Sequence, residues 1–148
     1  MARTLYAAGV RPGPRPFFTG PTFDGSRIYY SGALALRGGA QLRKELERAA
    51  RMDYDLVKTY VRLEDRLQER VIDFAHEHGM PVSSHELYPS VANGGDGVEH
   101  IRGTSRRGYS PKVSELYRSY GDMVRLLGHS GMTLTPTIGI YGGWDLAL

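Results

Sequence analysis

Two spacings of apolar residues alternate along this chain. From about Gly39, the residues Leu42, Leu46 and Ala49 recur at four- and three-residue steps with Arg and Glu between them, which places them on one face of a helix. A second helical stretch runs from about Glu64 to His78, with Leu67, Val71, Phe74 and Ala75 on one face and Gly79 as its stop. A third runs from Ser114 to His129 and is closed by Gly131. Short runs of strand character lie between them, at residues 56–61 (LVKTYV), 81–84 (PVSS), 97–100 (GVEH) and 132–136 (MTLTP), with a short helix near residues 89–93. Residues 9–32 (GVRPGPRPFFTGPTFDGSRIYYSG) are rich in Gly, Pro and Ser. They predict a strand end at residues 17–19 followed by a long excursion, ordered by Phe17, Phe18, Phe23, Tyr29 and Tyr30. Short strands alternating with helices imply an α/β fold with a parallel sheet. Right-handed crossovers then bring all strand C-termini to one side, the side that carries function in a parallel barrel.

With 148 residues, 41% hydrophobic and 24% charged, the chain fits one domain, in which residues 1–38 form the strand end and loop and residues 39–148 the β/α units. No apolar run is long enough to span a bilayer, so no membrane partner is expected. The stretch Leu5 to Val10 is too short for a secretory signal core and runs into Arg11, Pro12 and Pro14, which leaves a cytoplasmic location as the default expectation. The absence of cysteine excludes disulfides and thiolate metal sites, so a metal would rest on His, carboxylate or a modified side chain. The net charge of +3 comes from dispersed arginines, with one local cluster at Arg102, Arg106, Arg107 and Lys112. It forms no long stripe with interleaved aromatics, and no nucleic-acid partner is expected.

Three polar residues fall at the C-terminal ends of successive strands: Lys58 within LVKTY, His85 directly after PVSS, and His100 in GVEH. Singly, each has an ordinary explanation. A strand lysine usually reaches solvent, and a lone histidine is more often a hydrogen-bonded core residue than a ligand. Their common height on successive strands is what gives them weight, since imidazoles and oxygen donors suit zinc and other first-row divalent ions. His76 and His78 form a His-x-His pair, but in the last turn of a helix residues two apart do not face each other. They read as a solvated helix end where a cation is favoured, as does His129.

The series DYDLVKTYVRL, AHEHGMPVSSHELYPSVANGGDGVEHIRGTSRRGYSPK and GMTLTPTIGIYGG resembles the middle strands of the imidazolonepropionase and prolidase-like branch of the amidohydrolase superfamily. RPFFTGP resembles the end of the third barrel strand and LTPT the seventh, so the resemblance covers nearly the whole chain. It implies a partial (β/α)8 TIM barrel of the metal-dependent hydrolase type, about strands three to seven. It also implies a site with one or two divalent ions, zinc first, that hydrolyses a C–N bond in a small amide or peptide-like substrate. In the family a fourth-strand lysine, often carboxylated, bridges the metals, and histidines end the fifth and sixth strands. Lys58 matches the first role, and His85 and His100 match the others.

The family's first-strand His-x-His pair and its catalytic aspartate after the eighth strand have no counterpart here, and Asp145 reads as a tail residue. No catalytic proton shuttle is therefore assigned. A lysine ammonium has no lone pair for a metal, whereas its carbamate is a bridging anion. Tyr60, two residues past Lys58 and so on the same strand face, is a substrate-pocket candidate. Glu86 and Tyr88, which follow His85, are candidates for contacts to the substrate or to the ligands. Arg102 and Arg106, with Arg107, are candidates for a substrate carboxylate, a solvated basic loop being the alternative. Two readings remain: a segment of a C–N hydrolase, incomplete alone, or a non-catalytic remnant or binding module of the same fold. Partial barrels expose strand edges, so self-association or a complementing chain is expected in either case.

Overall fold

The structure, a computed structural model, describes residues 2–10, 12–101, 112–113, 121–137 and 139. In chain order the elements are α1 (Ala2–Ala7), β1 (Phe23–Asp24), β2 (Leu34–Ala35), α2 (Gly39–Arg51), β3 (Val57–Thr59), α3 (Asp65–Glu77), β4 (Val82–Ser84), a single 3₁₀ turn (Ser90–Asn93), β5 (Gly97–Glu99), α4 (Gly121–Ser130) and β6 (Thr133–Thr135). The strands form one sheet in the order β2-β1-β3-β4-β5-β6, and every pairing is parallel. A mixed α/β fold with this sheet is that of a partial TIM-type barrel. No described helix is long and apolar enough to cross a membrane.

The first two helices form where the apolar spacing predicts them; of the third, expected from Ser114 to His129, α4 is the described part and residues 114–120 lie outside the described residues. Leu42, Leu46 and Ala49 are buried on α2, and Leu67, Val71, Ile72 and Ala75 on α3. Asp65 in the first turn of α3 complements the helix dipole, and Gly79 ends the helix at φ +68, a left-handed conformation that costs glycine little. These faces close over Phe23, Val57 and Val82 of the sheet to make the main core. A smaller core joins Val98 to Leu87, Met123 and Met132 beneath α4.

The predicted strands at residues 56–61, 81–84, 97–100 and 132–136 all form, each trimmed to three residues. Residues 17–19, however, are not a strand; Phe17 is 64% exposed and the first strand begins at Phe23, buried at 1%. Four prolines between residues 12 and 21 remove the N–H donors a ladder needs, and the chain is held instead by Asp55, whose carboxylate accepts from Phe18 N and whose N–H donates to Phe18 O. The excursion also contains a strand that the sequence pattern does not reveal. β2 pairs with the outer edge of β1, opposite β3, through Leu34 N–H to Thr22 O at 2.8 Å and Leu36 N–H to Asp24 O at 3.0 Å.

Because side chains alternate along a strand, Val57, Val82 and Val98 face the helices while Lys58, Ser83, Gly97 and Glu99 share the other face. Truncating the helix-side core tests this packing. Leu46→Ala is expected to lower unfolding free energy by about 2–4 kcal/mol in urea denaturation. Arg43→Ala, on the solvent side of α2 with its side chain 80% exposed, should stay within about 0.5 kcal/mol of the parent.

Candidate functional site

The parallel register places Lys58 beside Ser83 and Ser83 beside Gly97, so that one layer of the inner face contains a long cation, a small hydroxyl and no side chain at all. Into the space this leaves reaches Glu99, one residue before His100. Lys58 Nζ lies 2.8 Å from Glu99 Oε2, and Ser83 Oγ donates to Glu99 Oε1 at 2.8 Å. On Lys58 burial outweighs the neighbouring carboxylate and lowers the amine from its ordinary value. On Glu99 burial alone would raise the carboxyl, but the charge and hydrogen bond of Lys58, the Ser83 hydroxyl and the charge of His100 together hold it low.

His85 and His100 stand above this layer, their ring centres 4.9 Å apart. His85 is buried at 3%, with its N–H donating to Thr59 O. The His100 backbone is turned to φ +61, in the left-handed region, and its N–H still donates to Thr135 O at 2.8 Å. A non-glycine residue in that region carries strain that the surroundings must hold. Here the restraint includes a 2.7 Å hydrogen bond between Nδ1 and Thr137 Oγ1, which leaves Nε2 facing Glu99 Oε2 at 4.0 Å. Burial first, then the charge of Lys58, keeps His100 below the ordinary imidazole value, toward the neutral form that can donate a lone pair.

The other candidates divide. Tyr60 is buried, with its ring 4.5 Å from that of His85, and burial followed by a hydrogen bond with Tyr30 raises its hydroxyl well above the ordinary value. Tyr88 is 45% exposed. Glu86 is buried at 2% and interacts electrostatically with Lys112, which is itself buried and donates from Nζ to the His85 carbonyl at 2.9 Å. Arg102, Arg106 and Arg107 lie outside the described residues. Of the helix-end histidines, His76 is not simply solvated, since Nε2 lies 2.8 Å from Asp96 Oδ2, an oxygen that also accepts from Val82 N. His78 stacks on Phe74 with centres 4.0 Å apart, and His129 Nδ1 bonds to Arg125 O.

Aromatic residues extend the site outward. Tyr60 touches the rings of Tyr30 and Tyr29, with centres at 5.2 and 5.8 Å, and both come from the crossover between β1 and β2. That crossover is tied down by Asp24, fully buried, whose carboxylate accepts from Gly25 N, Tyr29 N and Arg62 N. Arg62 in turn donates to the carbonyls of Arg27 and Ile28.

Glu99, Ser83, Thr137 and Lys112 are the participants that the sequence pattern missed. The first two were within reach: with Val98 on the helix side, the two-residue period puts Glu99 on the Lys58 face. Lys112 and Thr137 are brought in from distant loops, and no local signal points to them.

As for a metal, the rings of His85 and His100 come together, and Glu99 lies between His100 and Lys58. Both imidazoles have the chemistry of divalent-ion ligands, and the Nδ1 bond of His100 is the kind of outer contact that orients one. Lys58 as the ammonium partner of Glu99 offers no lone pair, and among the described residues no three His, Asp or Glu side chains gather to hold an ion. The residues therefore fit a metal only if Lys58 exchanges its ion pair for a carbamate.

Solved structures share this arrangement of strands. A protein from Bifidobacterium longum assigned as a prolidase superposes with a TM-score of 0.70 at 20% identity, over 99% of this chain and 39% of that one. An amidohydrolase gives 0.69 at 15% identity, over 93% and 40%. A bottromycin amidohydrolase gives 0.68 at 20% identity, over 93% and 32%. No protein-family model and no curated protein matches the sequence. The chain shares the fold of one part of these structures, and it spans about two fifths of the length of the first two.

Lys112 yields a test of this geometry. Burial first, and the charge of Lys58, pull it down to about 8 against the pull of Glu86, while the unfolded chain keeps its proton up to the ordinary 10.5. Between those values unfolding takes up a proton, so stability rises with pH. Lys112→Met is expected to reduce the slope of unfolding free energy against pH across that window, measured by urea denaturation.

Proposed function

We propose that the chain forms the metal-binding arc of an amidohydrolase that cleaves the C–N bond of a small amide or peptide-like substrate. The observation that carries this reading is the pair of imidazoles, 4.9 Å apart, standing over Lys58 at the C-terminal ends of parallel strands in an amidohydrolase fold. His85, His100 and a carboxylated Lys58 would hold the ion, zinc being the first candidate. A divalent ion supplies a nucleophile at neutral pH and a Lewis acid for the carbonyl under attack. The chain's own residues orient and enclose. Thr137 fixes the direction of the His100 ring, Lys112 fixes the backbone that carries His85, and Tyr60 packs against the His85 ring. Overall, water adds to the carbonyl, the C–N bond breaks and the amine departs with a proton. The proton shuttle that the family draws from an aspartate after its eighth strand is not assigned to any residue of this chain, so residues 1–148 alone should turn over no amide.

A second reading is favoured by the Lys58–Glu99 ion pair, which holds the lysine as an ammonium and would suit a binding module that performs no hydrolysis. Zinc titration of residues 1–148 against a chromophoric chelator separates the two. The hydrolase reading expects a weak site whose affinity rises with bicarbonate and falls at least about tenfold in His85→Ala and in His100→Ala. Affinity indifferent to both substitutions and to bicarbonate would leave the binding module as the better account.

A further inference from the structure

We infer that Tyr29 and Tyr30 form the wall of a subsite that takes a flat ring, aromatic or heterocyclic, carried by the substrate next to its amide. The inference deepens the hydrolase reading of the site and rests on it for where the amide lies. Two independent features point the same way.

The first is continuity. The rings of Tyr30, Tyr60, His85 and His100 follow one another with centres at 5.2, 4.5 and 4.9 Å, so a chain of packed rings, buried at Tyr60 and His85, links the exposed Tyr30 to the imidazole pair. At its outer end Tyr29 and Tyr30 meet edge to face at 4.8 Å and 82°, and they remain 40% and 55% exposed.

The second is anchoring. A crossover merely connecting β1 to β2 could lie loosely on the surface, yet this one is fastened by Asp24 to Tyr29 N and by the Arg62 guanidinium to two carbonyls, and that guanidinium also lies 5.6 Å from the centre of the Tyr29 ring. Fixing two large rings where water reaches them forgoes the burial that ordinarily stabilises a tyrosine, and rigid tyrosines lose little entropy when they bind. Tyr30 is also held from behind, its ring inclined 47° to that of the buried Tyr60. That surface suits a planar ring that can pack on it edge to face or offset.

The test compares N-acetyl-phenylalanine amide with N-acetyl-alanine amide on residues 1–148, by ligand titration followed through tyrosine ring resonances. The phenylalanine compound is expected to shift the Tyr29 and Tyr30 signals and to bind about tenfold more tightly. Tyr29→Ala/Tyr30→Ala should erase that difference, and Tyr29→Phe/Tyr30→Phe, which keeps the rings, should restore it. Equal binding of the two amides, or a preference that survives the double alanine variant, overturns the subsite. Hydrolysis is scored separately. Ring preference without metal-dependent turnover in any longer protein containing this chain leaves the subsite standing and removes the hydrolase reading. Turnover of both amides with no ring preference does the reverse.

Discussion

A lysine and a glutamate on two strands that are not neighbours meet across a third, and the inner face of this protein is arranged around that contact. Lys58 on β3 and Glu99 on β5 reach over Ser83 of β4, and the bare backbone of Gly97 beside it on β5 leaves room. Side chains from alternate strands sharing one layer are a property of parallel barrels. The room is tightly bounded: a Cβ on Gly97 would sit 3.0 Å from Thr133 Oγ1 and 3.5 Å from Ser83 Oγ. Withdrawing two charges from water is costly, and their attraction offsets this only when geometry and extra hydrogen bonds are good. The Ser83 hydroxyl supplies one such bond, which is why a small polar residue belongs at that register position.

The same pair sets the chemistry. As an ammonium Lys58 can neutralise a carboxylate but cannot donate to a metal; as a carbamate it can bridge ions but would face Glu99 as a second anion. On the proposed hydrolase reading, a divalent cation held by His85 and His100 would relieve that repulsion, so that metal binding and lysine carboxylation would favour each other and together oppose the ion pair. His100 is already committed by its strained backbone and its bond to Thr137, whereas Lys58 is the member that has two alternatives. Above them, the buried Lys112 secures the His85 carbonyl and the tyrosines close the outer side.

Much of this was legible in the sequence, for physical reasons that differ by element. The helices could be read because Leu42, Leu46, Leu67 and Val71 repeat at helical spacing and Gly79 must take a positive φ. The four later strands could be read because they are short apolar runs between those helices, and their ends gave Lys58, His85 and His100. Residues 17–19 misled because Phe17 and Phe18 have strand character while the prolines around them deny a ladder. β2 escaped because Leu34 and Ala35 pair through a contact that no local pattern encodes. Glu99 follows from alternation, since with Val98 on the helix side it falls on the Lys58 face. Lys112 is a surface-type residue in sequence and a buried one in the fold, a difference made entirely by tertiary contact.

The inner face depends on the contact between Lys58 and Glu99, and a double-mutant cycle measures that contact without reference to any ligand. Lys58→Met and Glu99→Gln each leave one partly buried charge without its partner, and each is expected to destabilise the fold by about 1–3 kcal/mol in urea denaturation. The double variant removes both charges, so its loss should be smaller than the sum of the single losses by at least about 1 kcal/mol. Strictly additive losses would mean that the two side chains do not meet in solution, and the layer built from Lys58, Ser83, Gly97 and Glu99 would have to be abandoned.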